Sequence, residues 1–165
     1  MIILGIDPGT ATTGYGVIEV KKNKNLRAVE YGCIKTSPES KTGERLKKIN
    51  SEISGLIKKH QPKILAIESL FFFRNLKTAI PVSQAKGVIL LAAARKKVPV
   101  IEFAPLQVKL TITGYGWAEK EKVQKKVKKM LNLKKIPKPD DISDALGIAI
   151  CGALTTKILF KKQKA

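Results

Sequence analysis

The sequence contains few of the residues that build zinc, disulfide or redox sites. It has one histidine and two cysteines among 165 residues. A single histidine, His60, excludes most histidine-based zinc sites and multi-histidine mechanisms. Cys33 and Cys151 lie far apart in the sequence and form no CxxC pair, so we expect two reduced thiols in a cytoplasmic protein.

Long apolar runs and a nucleotide-binding loop are also missing. No apolar stretch reaches the roughly 18 residues that a transmembrane helix needs. The N-terminal segment lacks the basic region of a signal peptide. The sequence contains no GxxxxGK[ST] motif, which excludes a P-loop. We therefore expect a cytoplasmic protein with no membrane partner.

Acidic residues are scarce relative to basic ones. The chain has 32 Lys and Arg against 13 Asp and Glu, a formal net charge of +19. Such an excess destabilises the compact state by self-repulsion, which favours a functional explanation. Nucleic acid is the first candidate partner, ahead of an anionic membrane surface or a ribosomal position. The alternative is a solvated lysine-rich surface, in part a thermal adaptation.

Hydrophobic periodicity predicts one α/β domain over residues 1–159, followed by a basic, disordered tail at 160–165. The predicted strands are 2–7, 12–20, 26–36, 64–68 and 99–103, and the predicted helices are 43–60, 81–97, 105–111, 119–133 and 140–159. Pro81 is expected to open the second helix. The first three strands predict an antiparallel meander. The whole order predicts a five-stranded mixed sheet with helices on both faces.

Four of the acids stand at positions that suggest a shared site. Two end apolar strands, and the other two lie on one face of a helix. Asp7 and Glu68 each end an apolar strand, and an unpaired carboxylate at the edge of a core costs free energy. Asp141 and Asp144 lie three apart beside the apolar stripe of the last helix, so both can point at one spot. Together the four would repel one another without cations.

The acids predict a site for hard divalent cations. No histidine or cysteine lies near them in the motifs, which favours Mg²⁺ or Mn²⁺ over zinc. Two such ions suit phosphodiester hydrolysis, because one activates water and the other stabilises the leaving oxygen.

Each acid also has a structural explanation. Asp7 can cap backbone N–H groups in an Asp-Pro-Gly turn, and Asp141 and Asp144 can be first-turn acids favoured by the helix dipole. Asp140 fits a helix N-cap better than a ligand. Glu68 follows four apolar residues and is the hardest to explain structurally, so the combination carries the metal-site hypothesis.

Six short motifs follow one another along the chain. They are ILGIDPGT at 3–10, TGYG at 13–16, AIE at 66–68, QAKG at 84–87, AEK at 118–120 and DISDAL at 141–146. In this order they resemble the RuvC family of bacterial Holliday-junction resolvases over nearly the whole chain. The resemblance implies an RNase H-like fold and a homodimer that cuts two opposed strands of four-way junction DNA with Mg²⁺, in recombination and repair. It also implies cooperation with the branch-migration complex of RuvA and RuvB.

The resemblance extends to individual residues. It matches the four catalytic, metal-binding carboxylates of the family to Asp7, Glu68, Asp141 and Asp144. Phe71 matches an aromatic residue used against a base near the junction centre, and Lys109 and Lys120 match basic residues involved in DNA contact and activity. The segment 71–73 is more aromatic than the family pattern, so which phenylalanine stacks is open. Burial in a core or dimer contact is the alternative for Phe71.

Two other function classes stay open at this point. Residues 5–10 also resemble the phosphate loop of sugar kinases and actin-like ATPases, but those proteins need two domains and a second Asp-Gly loop. A non-catalytic nucleic-acid-binding protein would explain the lysines of the 119–135 segment but not the four acids, which repel phosphate without metal. We predict a Mg²⁺-dependent endodeoxyribonuclease whose dimer interface is the Ala/Gly-rich helix 82–96.

Overall fold

A five-stranded sheet forms the centre of the protein. The computed structural model describes residues 1–23, 25–69 and 76–162. The strands are β1 (Ile2–Asp7), β2 (Thr12–Val20), β3 (Leu26–Lys35), β4 (Ile64–Glu68) and β5 (Val100–Phe103). Their order across the sheet is β3-β2-β1-β4-β5. The first three pair antiparallel, whereas β4 pairs parallel with both β1 and β5, so the predicted mixed sheet is confirmed.

Helices cover both faces of this sheet, as predicted. They are α1 (Thr42–His60), α2 (Leu76–Arg95), α3 (Pro105–Thr113), α4 (Lys120–Met130) and α5 (Asp140–Lys162). Side chains alternate between the faces of a strand, so Leu4 and Ile6 pack with α1 and α2, whereas Ile3 packs with α3, α4 and α5. The α5 helix lies between the sheet and the other two helices of its face. Its six predicted core residues are all buried: Ile142, Ala145, Leu146, Ala149, Ile150 and Ala153.

Glycines let α5 lie directly on strands β1 and β2. A Cβ atom on Gly5 would overlap the carbonyl oxygen of Ala145, and one on Gly14 would overlap the carbonyl oxygen of Asp141. Any larger residue at either position would push the helix away from the sheet. The two glycines therefore set the height at which the first turns of α5 pass over the end of β1.

Three predicted boundaries were wrong. The α2 helix begins at Leu76, so Pro81 lies inside it instead of opening it. Proline is favoured at helix starts, but an interior proline is tolerated where tertiary contacts offset a cost of about 3 kcal/mol. One such contact is the Thr10 hydroxyl, which donates to the Pro81 carbonyl at 2.6 Å. The α4 helix ends at Met130, earlier than expected, and α5 continues past Leu159 to Lys162.

Several further expectations concern single residues. Cys33 is half-buried and Cys151 buried, and both are free thiols. His60 lies in the last turn of α1, where its Nε2 stands 2.7 Å from the carboxylate of Glu30. None of the helices in the described part of the chain is long and apolar enough to cross a membrane. The predictions for Phe71 and for residues 163–165 concern positions outside the described residues.

Candidate active site

Two of the predicted acids lie side by side at one edge of the sheet. Asp7 is the last residue of β1 and Glu68 the last of β4. The parallel register pairs Ile6 with Ile67, so the two acids come next to each other on the face that α5 covers. Burial, followed by the negative charges of neighbouring acids, raises the pKa of Asp7 to about 8. Burial and the charge of Asp144 raise the pKa of Glu68 to about 7.

The first turns of α5 bring the other two acids to the same place. The charges of Asp141 and Asp144 both contribute to the raised pKa of Asp7, so the i,i+3 pair faces one target. Burial also raises the pKa of Asp144, although Lys120 opposes the effect. Asp141 and Asp144 thus lie near enough to the end of β1 for their charges to act on Asp7.

Lys120, the first residue of α4, is the cation closest to these acids among the ion pairs of the described residues. Its Nζ lies 3.1 Å from Asp144 Oδ2 and 3.3 Å from Asp140 Oδ2. Burial lowers the pKa of Lys120, but the hydrogen bonds to Asp144 and Asp140 outweigh that effect and leave the pKa above its ordinary value. The ammonium group is therefore charged and half-exposed at the mouth of the site.

Asp140 has a different role from the one predicted. It is the first residue of α5 rather than the N-cap before it. Its carboxylate lies 2.7 Å from Lys138 Nζ, and hydrogen bonds from Lys138 and then Lys120 lower its pKa to about 2. The acid therefore anchors two lysines beside the site. Sequence alone could not place it, because an acid at either position suits the N-terminus of a helix.

A cavity of about 190 Å³ opens beside the acids. Glu68 and Asp144 line it together with Lys109 from α3 and Lys120 from α4. Both lysines singled out in the sequence thus lie in the wall of a cavity that also contains two of the four acids. An anionic group entering it would meet two ammonium groups, and a cation would meet carboxylate oxygen.

Sequence reasoning did not assign a role to Lys86. This side chain is only 11% exposed, and its Nζ lies 2.6 Å from Glu102 Oε2. Its charge, like that of Lys120, also lowers the pKa of Glu68, so it partly compensates the buried acid. The available signal was a lysine within the Ala-rich part of a helix, followed by an acid in the short strand β5.

The donor set fits a hard divalent cation, although the side chains do not form a finished ligand cage. Among residues 1–23, 25–69 and 76–162, no three His, Cys, Asp or Glu side chains stand close enough together to hold one ion. The four acids offer only carboxylate oxygen, which Mg²⁺ and Mn²⁺ prefer. A cation would also relieve the desolvation and repulsion that raise the pKa values of Asp7 and Glu68.

Comparison with known proteins gives a consistent result. Residues 3–152 match the family model described as crossover junction endodeoxyribonuclease RuvC. A protein of that name from Desulforamulus reducens is 52% identical over 153 residues, which cover 93% of each chain. The Thermus thermophilus RuvC structure superimposes with a TM-score of 0.89 at 36% identity, covering 96% of each chain. A structure of T. thermophilus RuvC in complex with Holliday junction substrate gives a TM-score of 0.88 at 33% identity, with the same coverage. The chain therefore belongs to the RuvC family of crossover junction endodeoxyribonucleases.

Proposed function

We propose that the protein resolves Holliday junctions by hydrolysing phosphodiester bonds in two opposed DNA strands, in recombination and repair. The observation that carries the proposal is the cavity that Glu68 and Asp144 line together with Lys109 and Lys120, close to Asp7 and Asp141, in a chain of net charge +19. A bare cluster of acids would repel phosphate, so their place in a basic protein supports metal-assisted cleavage of nucleic acid. The Thermus thermophilus relative bound to Holliday junction substrate supports the choice of DNA.

The four acids would hold two Mg²⁺ ions in this proposal, and Mn²⁺ could replace them. Bound at such a site, the ions supply activation of water and neutralisation of charge on the scissile phosphate and the leaving oxygen. Asp7 and Glu68 contribute rigid positions, because each ends a strand in the middle of the sheet. Asp141 and Asp144 belong to α5, and Gly5 and Gly14 set the distance between this helix and the sheet.

The lysines hold the DNA backbone and stabilise charge. Lys120 Nζ stands 3.1 Å from Asp144 Oδ2, so its ammonium group would stabilise negative charge that develops on a phosphate held beside this acid. Lys109 lies in the cavity wall on α3 and is placed to contact a neighbouring phosphate. Both contacts read the path of the backbone rather than the base sequence.

A homodimer is part of the proposal. A four-way junction has two-fold symmetry and needs two cuts, which one site in each of two identical subunits supplies. Helix α2 is the candidate interface, because Leu91 is 45% exposed and a Cβ on Gly87 would meet no atom within 4 Å. A cytoplasmic location and cooperation with the RuvA and RuvB branch-migration proteins belong to the same proposal.

Cleavage of a synthetic four-way junction tests the function. We expect the wild-type protein to cut the junction but not a linear duplex of matching sequence, and to do so only with Mg²⁺ or Mn²⁺. Asp7→Asn and Glu68→Gln should each lose at least about 100-fold in cleavage rate while still binding the junction. The matched control is Glu121→Gln, which removes an exposed acid paired with Lys125 and should leave cleavage unchanged.

The outcomes separate the alternatives. Junction binding without cleavage under any metal condition would favour a non-catalytic binding protein. Full cleavage by both acid variants would refute the assignment of the site.

A further inference from the structure

Among the side chains whose exposure the structure describes, the most exposed aromatic ones lie in the loop between α3 and α4. Trp117 is 73% exposed and Tyr115 is 57% exposed. Trp117 is also the only tryptophan in the sequence. An indole exposed to this degree leaves a large apolar surface in water, and tryptophan is enriched at binding surfaces for that reason.

The position of this loop ties it to the active site. Its two ends belong to α3, which carries Lys109, and to α4, which begins at Lys120. Both lysines line the cavity that contains Glu68 and Asp144. Trp117 lies three residues before Lys120, in the loop that joins the two helices carrying these lysines.

The backbone under the two aromatic residues is ordered by specific bonds. The Gly114 N–H donates to the Leu110 carbonyl at 2.8 Å, and the Ala118 N–H donates to the Tyr115 carbonyl at 3.2 Å. The Thr113 hydroxyl donates to the Lys109 carbonyl at 2.8 Å. Ala118 itself is buried in the core. An exposed side chain on such a turn loses little backbone freedom when it binds, which favours a recognition role.

We propose that Trp117, with Tyr115 beside it, is a base-stacking contact for the junction strand that is cut. Lys109 and Lys120 on either side of the loop attract the phosphates of that strand, and the indole then meets a base adjacent to the scissile phosphate. Bases at a strand exchange point are more easily unstacked than bases within a duplex, and stacking on an aromatic ring is tolerant of sequence. The inference rests on the proposed function.

The apolar surface around Trp117 continues onto α3. Leu106 and Leu110 are 45% and 55% exposed, and the Leu106 side chain lies 3.4 Å from where a Cβ on Gly116 would stand. These side chains offer a surface for the deoxyribose next to the stacked base. Because Lys109 lies on α3 among these leucines and Lys120 begins the helix after the loop, the charge near the surface suits DNA better than an apolar protein partner.

Intrinsic fluorescence gives a direct test, since the emission of Trp117 is the only tryptophan signal of the protein. The Asp7→Asn variant keeps the DNA uncut during the measurement. Addition of a four-way junction should quench and shift the emission, and a linear duplex should do so less. Unchanged emission at a junction concentration that saturates binding by DNA anisotropy would overturn the proposal.

Substitutions test the energetic contribution in the same Asp7→Asn background. Trp117→Ala should raise the junction Kd by about 5- to 150-fold, the range that corresponds to loss of one stacked base. Trp117→Phe should recover part of that loss, and neither should change the salt dependence, because no charge is removed. The control is Tyr31→Ala, which removes an aromatic residue 43% exposed on β3, in a groove that shares no residue with the cavity.

The possible failures are distinguishable. If wild-type protein cuts the junction but Trp117→Ala binds it normally, the stacking contact is wrong and the nuclease function stands. If Trp117→Ala and Trp117→Phe lose binding equally and also lower the melting temperature, the residue has a structural role and the proposal fails. If the wild-type protein cuts no junction, the proposed function itself fails.

Discussion

At the residue scale, the buried Asp7 carboxylate makes the metal-free protein sensitive to pH. An aspartate in an unfolded chain has a pKa near 3.9, whereas burial and neighbouring acids raise the pKa of Asp7 to about 8. Between these values the folded state holds a proton that the unfolded state has lost. The contribution of Asp7 to the free energy of unfolding therefore falls as the pH rises from about 4 to about 8. Glu68, with a pKa raised to about 7, acts in the same direction.

We predict that Asp7→Asn stabilises the protein in EDTA at pH 8 by at least about 1 kcal/mol, the equivalent of roughly one pKa unit. The advantage should shrink towards pH 4, where the wild-type carboxyl is protonated. Urea unfolding across this pH range measures both effects. Mg²⁺ should stabilise the wild-type protein at pH 8 more than the variant.

Asp140→Asn is the control, because lysines hold the pKa of this acid at about 2. The ionised Asp140 carboxylate stabilises the folded protein at pH values above the pKa that this group has in the unfolded chain. This contribution disappears as the pH falls towards about 2. Asp140→Asn should therefore give no stabilisation at pH 8. If Asp7→Asn gave no stabilisation over the wild-type protein in EDTA at pH 8, the assignment of Asp7 as a buried acid with a raised pKa would be contradicted.

Individual site residues differed in how well they could be predicted. Asp7 and Glu68 were recognisable because an acid at the end of an apolar run conflicts with its surroundings. Lys86 and Trp117 gave weak signals, because a lysine in a helix and an aromatic residue in a loop are both common. Lys86 matters because it is buried, and Trp117 because it is exposed. Local sequence encodes neither property.

At the scale of elements, the packing of α5 on the sheet controls the site. The apolar stripe of this helix was predictable from its periodicity. The closeness of its approach was not, because it depends on glycines in strands that are distant in sequence. Gly14 lies under the Asp141 carbonyl, and Gly5 lies under that of Ala145. Side-chain volume in β1 and β2 therefore determines where two of the four acids stand.

Gly14→Ala should for this reason damage both stability and catalysis. The added methyl group meets the backbone of Asp141, which cannot move without displacing α5, at a cost of about 1–3 kcal/mol. The same displacement moves Asp141 and Asp144, and a shift of about 1 Å can reduce the cleavage rate by about 100-fold. Thermal unfolding and junction cleavage, measured on one preparation, provide the two readouts.

Gly55→Ala is the matched control for that substitution. Gly55 is exposed inside α1, and a Cβ there would meet no atom within 4 Å. Alanine at this position should stabilise the helix by about 0.5–1 kcal/mol and leave cleavage unchanged. Wild-type cleavage by Gly14→Ala would show that α5 can shift without moving its acids, and that result would refute the argument.

At the scale of the whole molecule, the sequence predicted a mixed sheet but not which distant strands pair within it. The antiparallel meander of β1, β2 and β3 follows from short connections. The position of β4 beside β1 does not, because more than fifty residues separate the two strands and parallel pairing leaves no local signal. That one pairing brings Asp7 next to Glu68. The charge excess was evident from composition, but which lysines face the site depended on the complete fold.

The distribution of charge leads to a final prediction about DNA binding. Lysines occur at both ends of the sheet: Lys109 lines the cavity beside the acids, whereas Lys58 lies in a groove with Lys63, Lys96 and Lys97 near the start of β4. If DNA lies across the active-site end only, log Kd should rise with log salt concentration at about 0.9 per phosphate neutralised, or about 5 for six contacts. Lys109→Gln should lower this slope by about 0.9, and Lys58→Gln should leave it unchanged.

Anisotropy titrations of the Asp7→Asn variant with labelled junction, from about 50 to about 200 mM KCl, measure the slopes. Equal changes for the two lysines would mean that DNA contacts both ends of the protein, and a flat salt dependence would mean that the lysines do not bind phosphate.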